Sequence, residues 1–375
     1  MARAVWYVAP GKVELRTAPL APPMPGQALV RTLYTGVSRG TERLVLAGAV
    51  GQSEWERMQA PMQEGQFPFP VKYGYCATGV VEVGPKELLG QTVFALHPHQ
   101  DCFVAPVEML ALVPATVPAR RATLAANMET ALNALWDSGA GPADRIVVVG
   151  AGVVGLLIAY LAARLPGADV TVIDVALERQ AVVAALGARF AVGVSPSPHR
   201  LHSDGERVGV RGGGTRKAEP AAAPHIVPEA RLRHDNPLPV KNGERGYLPT
   251  GADVVFHTSV SAAGLDCAIA CAGFEATVVE LSWYGDREVP VKLGGAFHSQ
   301  RLKLVSSQVG HISAGRRVRW DYRRRLNAAL NLLADPRLDA LVAEDIAFDD
   351  AASALPKILG AGARGLAPVI RYPGA

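Results

Sequence analysis

Between residues 3 and 105, apolar and polar side chains alternate in short runs, at 3–8, 13–15, 27–33, 79–83, 92–96 and 102–105. A period of two is the pattern of half-buried strands. Pro10-Gly11, the Pro/Gly-rich stretch 21–26 and Gly84-Pro85 break the runs, so the first 124 residues predict a small, irregular β-rich unit. From about residue 120 the period lengthens. A helical pattern covers 122–136 and stops at Asp137-Ser138-Gly139. The run 146–149 is apolar and β-branched without alternation, as in a strand buried on both faces. An apolar helix follows over 156–162. Further strands are predicted at 169–173, 190–192, 251–256, 277–281 and 302–306, with helices at 177–186 and 262–272. Strands alternating with helices predict an α/β fold with a doubly wound parallel sheet. The tail has helical patterns at 322–334 and 350–358, a β-like segment at 341–348 and a last strand at 367–371. It is expected to return and complete the first unit, leaving a cleft between the two.

The turn between the strand 146–149 and its helix carries Gly150, Gly152 and Gly155. The first glycine permits the tight turn, the second lets backbone approach a pyrophosphate, and the third lets helix and strand pack closely. The helix N-terminus, with the N–H groups of Val153 and Val154, offers donors and a positive dipole end to phosphate. Asp174 closes the next strand about 20 residues on, where a ribose 2′-hydroxyl finds its acceptor. A nicotinamide dinucleotide is the expected cofactor. Arg179 is placed to reach its adenosine side, but Asp174 repels a 2′-phosphate, so NAD is favoured and NADP remains the alternative.

From 195 to 250 periodicity is lost among prolines, glycines and arginines. That composition predicts a disordered insertion in the dinucleotide unit. The net charge of +4 over 375 residues is small, and no basic tract interleaves with aromatics as on a nucleic-acid surface. The densest basic run, 316–325, reads as a solvated helix face. Cys76, Cys102, Cys267 and Cys271 form no CxxC pair and suggest no disulfide framework. The N-terminus lacks a signal-peptide layout, and no run is long enough to span a membrane. A soluble cytoplasmic protein, binding neither nucleic acid nor membrane, is expected.

Five stretches carry a resemblance to the medium-chain dehydrogenase/reductase superfamily, the relatives of alcohol dehydrogenase. They are Gly36-Val-Ser-Arg-Gly-Thr41, the segment 70–84, Gly90-Gln-Thr-Val-Phe94, the glycine turn with Asp174, and Gly251-Ala-Asp-Val-Val-Phe256. The resemblance implies a Rossmann domain at 125–310 and a GroES-like catalytic domain built from 1–124 and 311–375. It also implies a small-molecule substrate and a homodimer. The chain departs from the zinc-dependent members, with Ser38 where they have Cys and Tyr75-Cys76 where they have His-Glu. The four-cysteine lobe is absent. Ser and Tyr are poor zinc ligands, so a zinc-free member is expected. The first two motifs are similar to those of zinc-free bacteriochlorophyllide hydroxyethyl dehydrogenases, through Gly40-Thr-Glu42 and Tyr75, but that substrate is not carried over.

Without zinc, some other group must donate to the substrate oxygen as negative charge develops. By the resemblance, Tyr75 and Ser38 point at the reacting centre. A phenol can act as general acid, its pKa tuned by neighbours such as Lys72 or Arg39. His97 is a candidate cleft residue, with a turn on the surface as the alternative, and His97, His99 and Cys102 form a weaker candidate metal cluster. Glu42 and Glu129 are candidates for proton relay or for structure. Thr258 and Ser259 fall where the nicotinamide ribose would lie. Three functions stay open: hydride transfer to or from a hydroxyl or carbonyl substrate, NADPH-dependent reduction of an activated C=C bond or quinone, and nucleotide binding without catalysis.

Overall fold

A computed structural model describes residues 1–193, 248–342, 344–360 and 362–375. The greater part of the expected insertion, 195–247, lies outside the described residues. Of its last residues, Leu248 is buried against the parallel sheet.

Among the described residues, six strands form one all-parallel sheet. Their spatial order is Arg189–Val192, Asp169–Asp174, Arg145–Val149, Ala252–His257, Ala272–Glu280 and Lys303–Ser306. Counted along the chain this is 3-2-1-4-5-6, the order of a dinucleotide-binding sheet, which reverses between the first and fourth strands. The central strand explains its own unbroken apolar run. Ile146 and Val148 face one core with Leu156, Leu157 and Ile158 of the helix Val153–Ala162. Val147 and Val149 face the other with Ala268 and Ile269 of the helix Ala262–Cys271. A fully buried Leu or Ile contributes roughly 1.5–3 kcal/mol, so layers on both faces hold the strand in register.

The remaining strands form two antiparallel-rich sheets. In the larger, Gln27–Gly36 pairs with Ala77–Val83, with Cys102–Pro106 and with Pro368–Arg371. The C-terminal strand thus joins a sheet begun some 330 positions earlier. The smaller sheet runs Lys12–Ala18, Ala2–Ala9, Val71–Lys72 and Glu64–Gly65.

Three details depart from the sequence pattern. The helix Ala262–Cys271 passes without a loop into the strand Ala272–Glu280, and Glu275, at φ +59°, lies in the register slip between Ala272 and Thr277. The helix Arg39–Ala47 is not among the predicted elements; it buries Glu42 together with Val45 and Leu46. The basic run is not simply a solvated face. Arg325 is 3 % exposed and ion-paired with Glu129, and Arg323 donates to the Leu110 and Glu108 carbonyls. No described helix is long and apolar enough to cross a membrane.

Candidate functional site

The glycine turn lies at the point where the sheet order reverses. Gly150 takes φ +111°, and a Cβ there would stand 2.8 Å from the Thr258 hydroxyl and 2.9 Å from the Ser259 nitrogen. A Cβ on Gly155 would lie 2.0 Å from the Gly150 carbonyl oxygen. Both therefore serve close packing. Gly152 differs, because a Cβ there would meet nothing within 4 Å. It begins the helix Val153–Ala162, and no side chain caps that helix. Open space in front of uncapped helix donors fits a pyrophosphate.

Asp174 anchors the turn. Its Oδ2 accepts from the Ala151 N–H at 2.6 Å and its Oδ1 from the Ala176 N–H at 2.8 Å. Each oxygen keeps a lone pair, and the residue is partly exposed. Arg179 donates to the Gly365 carbonyl at 2.9 Å, and Arg364 pairs with Glu178. The segment after the strand Asp169–Asp174 thus touches the C-terminal segment. Across the switch point, the Thr258 hydroxyl turns inward to the Gly150 carbonyl at 2.9 Å, whereas Ser259 is partly exposed.

In the β-rich part, Ser38 is the N-cap residue of the helix Arg39–Ala47; its side chain makes no cap bond, but its N–H donates to Glu42 at 2.7 Å. This is one half of a capping box, with the acid one position later. Glu42 is wholly buried and also accepts from the Tyr7 hydroxyl at 2.6 Å and from His99 at 2.9 Å. His99 bonds Thr35 at 2.7 Å, and Thr35 bonds Tyr372. Burial raises the Tyr7 and Tyr372 pKa values, which keeps both phenols as donors. The network is closed and holds Ser38 in place.

Tyr75 packs against both large hydrophobic cores, the one shared with the cofactor sheet and the one of the β-rich sheets. Its hydroxyl donates to Thr41 at 3.2 Å, and Ser38 also lies within its hydrogen-bonding surroundings. Burial, with Cys76 adding to it, raises the phenol pKa more than the Ser38 and Thr41 hydroxyls lower it. Lys72 and Arg39 have partners of their own. The Lys72 ammonium is held by Glu64 and Gln100, and Arg39 donates to the Ala363 carbonyl. Tyr75 is therefore a protonated donor at neutral pH.

His97 is 3 % exposed, so it is no surface turn. Its ring stacks on Phe103 at 3.9 Å, its Nδ1 lies 2.9 Å from the Pro98 carbonyl, and burial lowers its pKa to about 3. Glu129 is ion-paired with Arg325 at 3.0 Å. Burial raises its pKa despite that partner. Among the described residues, no three His, Cys, Asp or Glu side chains are grouped as a metal-ion site, and Cys76, Cys102, Cys267 and Cys271 are free thiols.

One cluster joins Ser259 to two residues, His257 and Glu280, that the sequence does not single out. His257 and Glu280 end neighbouring parallel strands and sit opposite each other in register. The His257 Nδ1 is 2.7 Å from Glu280, and its Nε2 is 2.7 Å from the Ser259 hydroxyl. Burial opposes ionisation of Glu280, but the bonds from His257 and Ser282 outweigh it and its pKa is lowered. The segment after Glu280 reaches the other side of the cleft: Trp283 packs into the β-rich core, and Gly285 lies against Leu44 and the Ala49 carbonyl.

The family model for the alanine dehydrogenase/PNT C-terminal domain matches residues 127–230, which include the glycine turn. Solved structures match across the whole chain. A putative zinc-binding dehydrogenase from Sinorhizobium meliloti 1021, bound to NADP, aligns with TM-score 0.69 at 17% identity, covering 99% of each chain. The 2R,3R-butanediol dehydrogenase of Bacillus subtilis aligns with TM-score 0.69 at 15% identity, also over 99% of each. The chain has the medium-chain dehydrogenase/reductase fold. A third protein of this fold, described as a short chain alcohol dehydrogenase from E. coli CFT073 and complexed with NADH, aligns with TM-score 0.66 at 13% identity over 99% of each chain.

Proposed function

We propose that the chain is a zinc-independent NAD(P)-dependent oxidoreductase that transfers a hydride between nicotinamide and a hydroxyl or carbonyl substrate. Two observations support this reading. Open space faces Gly152 at the switch point, and a partly exposed, protonated Tyr75 stands where the two cores meet. Bound nicotinamide would supply or accept the hydride. Gly150, Gly152 and Gly155 with the Val153 and Val154 N–H groups would hold its pyrophosphate, and Asp174 its adenosine ribose. Both NAD and NADP are compatible with neighbours of this fold, and the free lone pairs of Asp174 favour NAD. Tyr75, oriented by Thr41 and Ser38, donates to the substrate oxygen as charge grows there.

Zinc independence is supported by donor chemistry, since Ser38 and Tyr75 are hydroxyls and Glu129 is engaged by Arg325. We divide the chain into a catalytic domain, 1–124 with 311–375, and a Rossmann domain, 125–310. The reading extends to a cytoplasmic homodimer. The strand Lys303–Ser306 supports it, forming the edge of the parallel sheet among the described residues with Leu304 exposed.

The test is NADH- and NADPH-dependent turnover against aldehydes, ketones, enones and quinones, with elemental analysis of the dialysed protein. Tyr75→Phe is expected to lower kcat by about 10²–10⁴ without changing cofactor affinity. Near-normal turnover in that variant makes the tyrosine a space-filler. Turnover of enones or quinones alone selects C=C or quinone reduction, cofactor binding without turnover selects a non-catalytic protein, and one tightly held zinc per chain overturns the zinc-free reading.

A further inference from the structure

The cluster at His257 lies on the cofactor side of the cleft, and the function proposed above gives it no task. A carboxylate only accepts hydrogen bonds, so the proton of a neutral His257 sits on Nδ1, toward Glu280. Its Nε2 is then an acceptor, and the Ser259 hydroxyl must donate to it across 2.7 Å. The tautomer is further constrained from behind. Glu280 accepts from the Ser282 N–H at 2.7 Å and from the Tyr284 hydroxyl at 3.3 Å, which keeps it facing the imidazole.

With its one proton committed inward, Ser259 presents only lone pairs outward. One can accept from Ser261, whose oxygen lies 3.0 Å away and which caps the following helix by accepting from the Gly264 N–H. The other remains for a ligand. Glycines let Ser259 and His257 pack this closely. A Cβ on Gly264 would stand 2.0 Å from the Ser259 hydroxyl and 2.7 Å from His257 Nε2, and Gly150 lies against the Ser259 backbone.

We infer that His257, held by Glu280, is a positioning residue that polarises Ser259 into a dedicated hydrogen-bond acceptor for the nicotinamide half of the cofactor. The inference rests on the proposed cofactor reading. The ligand group must be a donor. Two groups of that half qualify, a ribose hydroxyl and the carboxamide NH₂. The adenosine half is not served.

Titrations of NADH, ADP-ribose and ADP against wild type, Ser259→Ala, His257→Leu and His257→Gln test this, with a thermal melt of each variant. Ser259→Ala is expected to weaken NADH about 3–10-fold, the scale of one hydrogen bond, and to leave ADP unchanged. A matching loss for ADP-ribose assigns the ribose hydroxyl; a loss confined to NADH assigns the carboxamide. His257→Leu should weaken NADH similarly, whereas His257→Gln, which restores an acceptor near Nε2, should recover most of the affinity. A space-filling histidine would give the opposite order. NADH binding left unmoved by Ser259→Ala, or an equal loss for ADP, overturns the inference. If His257→Leu does not fold, Ser259→Ala and His257→Gln still decide it. A wild type that binds neither NADH nor NADPH overturns the cofactor reading and this inference together, which distinguishes the two failures.

Discussion

Two histidine–carboxylate pairs flank the cleft, and they do different things. His99 and Glu42 are both 0 % exposed, and the bonds around them run inward, to Tyr7, Thr35 and the Ser38 N–H. His257 is equally buried, but its partner Glu280 keeps an 18 % exposed side chain, and the third member, Ser259, is partly exposed. The same chemistry makes a framework when closed and a site when one member opens to the cleft. The difference follows from position. Glu42 lies in the first turn of a helix beneath the β-rich core, whereas His257 ends a strand at the switch point of a parallel sheet, where the sheet fans open.

The largest effect should come from breaking the closed pair. Glu42→Ala strands His99, Tyr7 and the Ser38 N–H in the core, and urea unfolding should register a loss of roughly 3–5 kcal/mol, the scale for a broken buried pair. A loss below about 1 kcal/mol, within the range of ordinary surface substitutions, would show that the network is not a framework and would erase the contrast. Asp174 is the intermediate case, clamped by two backbone N–H groups yet partly exposed. Asp174→Gly should weaken NAD by roughly 1.5–3 kcal/mol, the scale of a charged hydrogen bond, and NADP by less. Equal losses would make Asp174 a clamp of the glycine turn alone. Near neutral pH the smallest effect concerns His97, which among the described residues pairs with no carboxylate. Its pKa of about 3 lies below the ordinary 6.5, so below pH 6.5 the unfolded chain binds the extra proton. Stability is then full above pH 6.5 and falls toward pH 3, by at most about 1.4 kcal/mol per pH unit. His97→Phe should flatten that limb. An unchanged acid slope would mean that another group governs it.

What the sequence determined by itself is local. The glycine spacing, the unbroken apolar run 146–149 and the acid at 174 are read within some 30 residues, because backbone conformation and strand burial depend on neighbours in the chain. The Ser38 and Tyr75 substitutions were legible for the same reason, as changes inside short motifs. Only tertiary structure decided what is non-local. Parallel register sets His257 opposite Glu280, 23 positions away, although neither stands in a motif. Arg325 crosses 196 positions to neutralise Glu129, turning a candidate catalytic carboxylate inward. Tyr75 keeps its proton because two cores close around it, and no spacing along the chain encodes that burial.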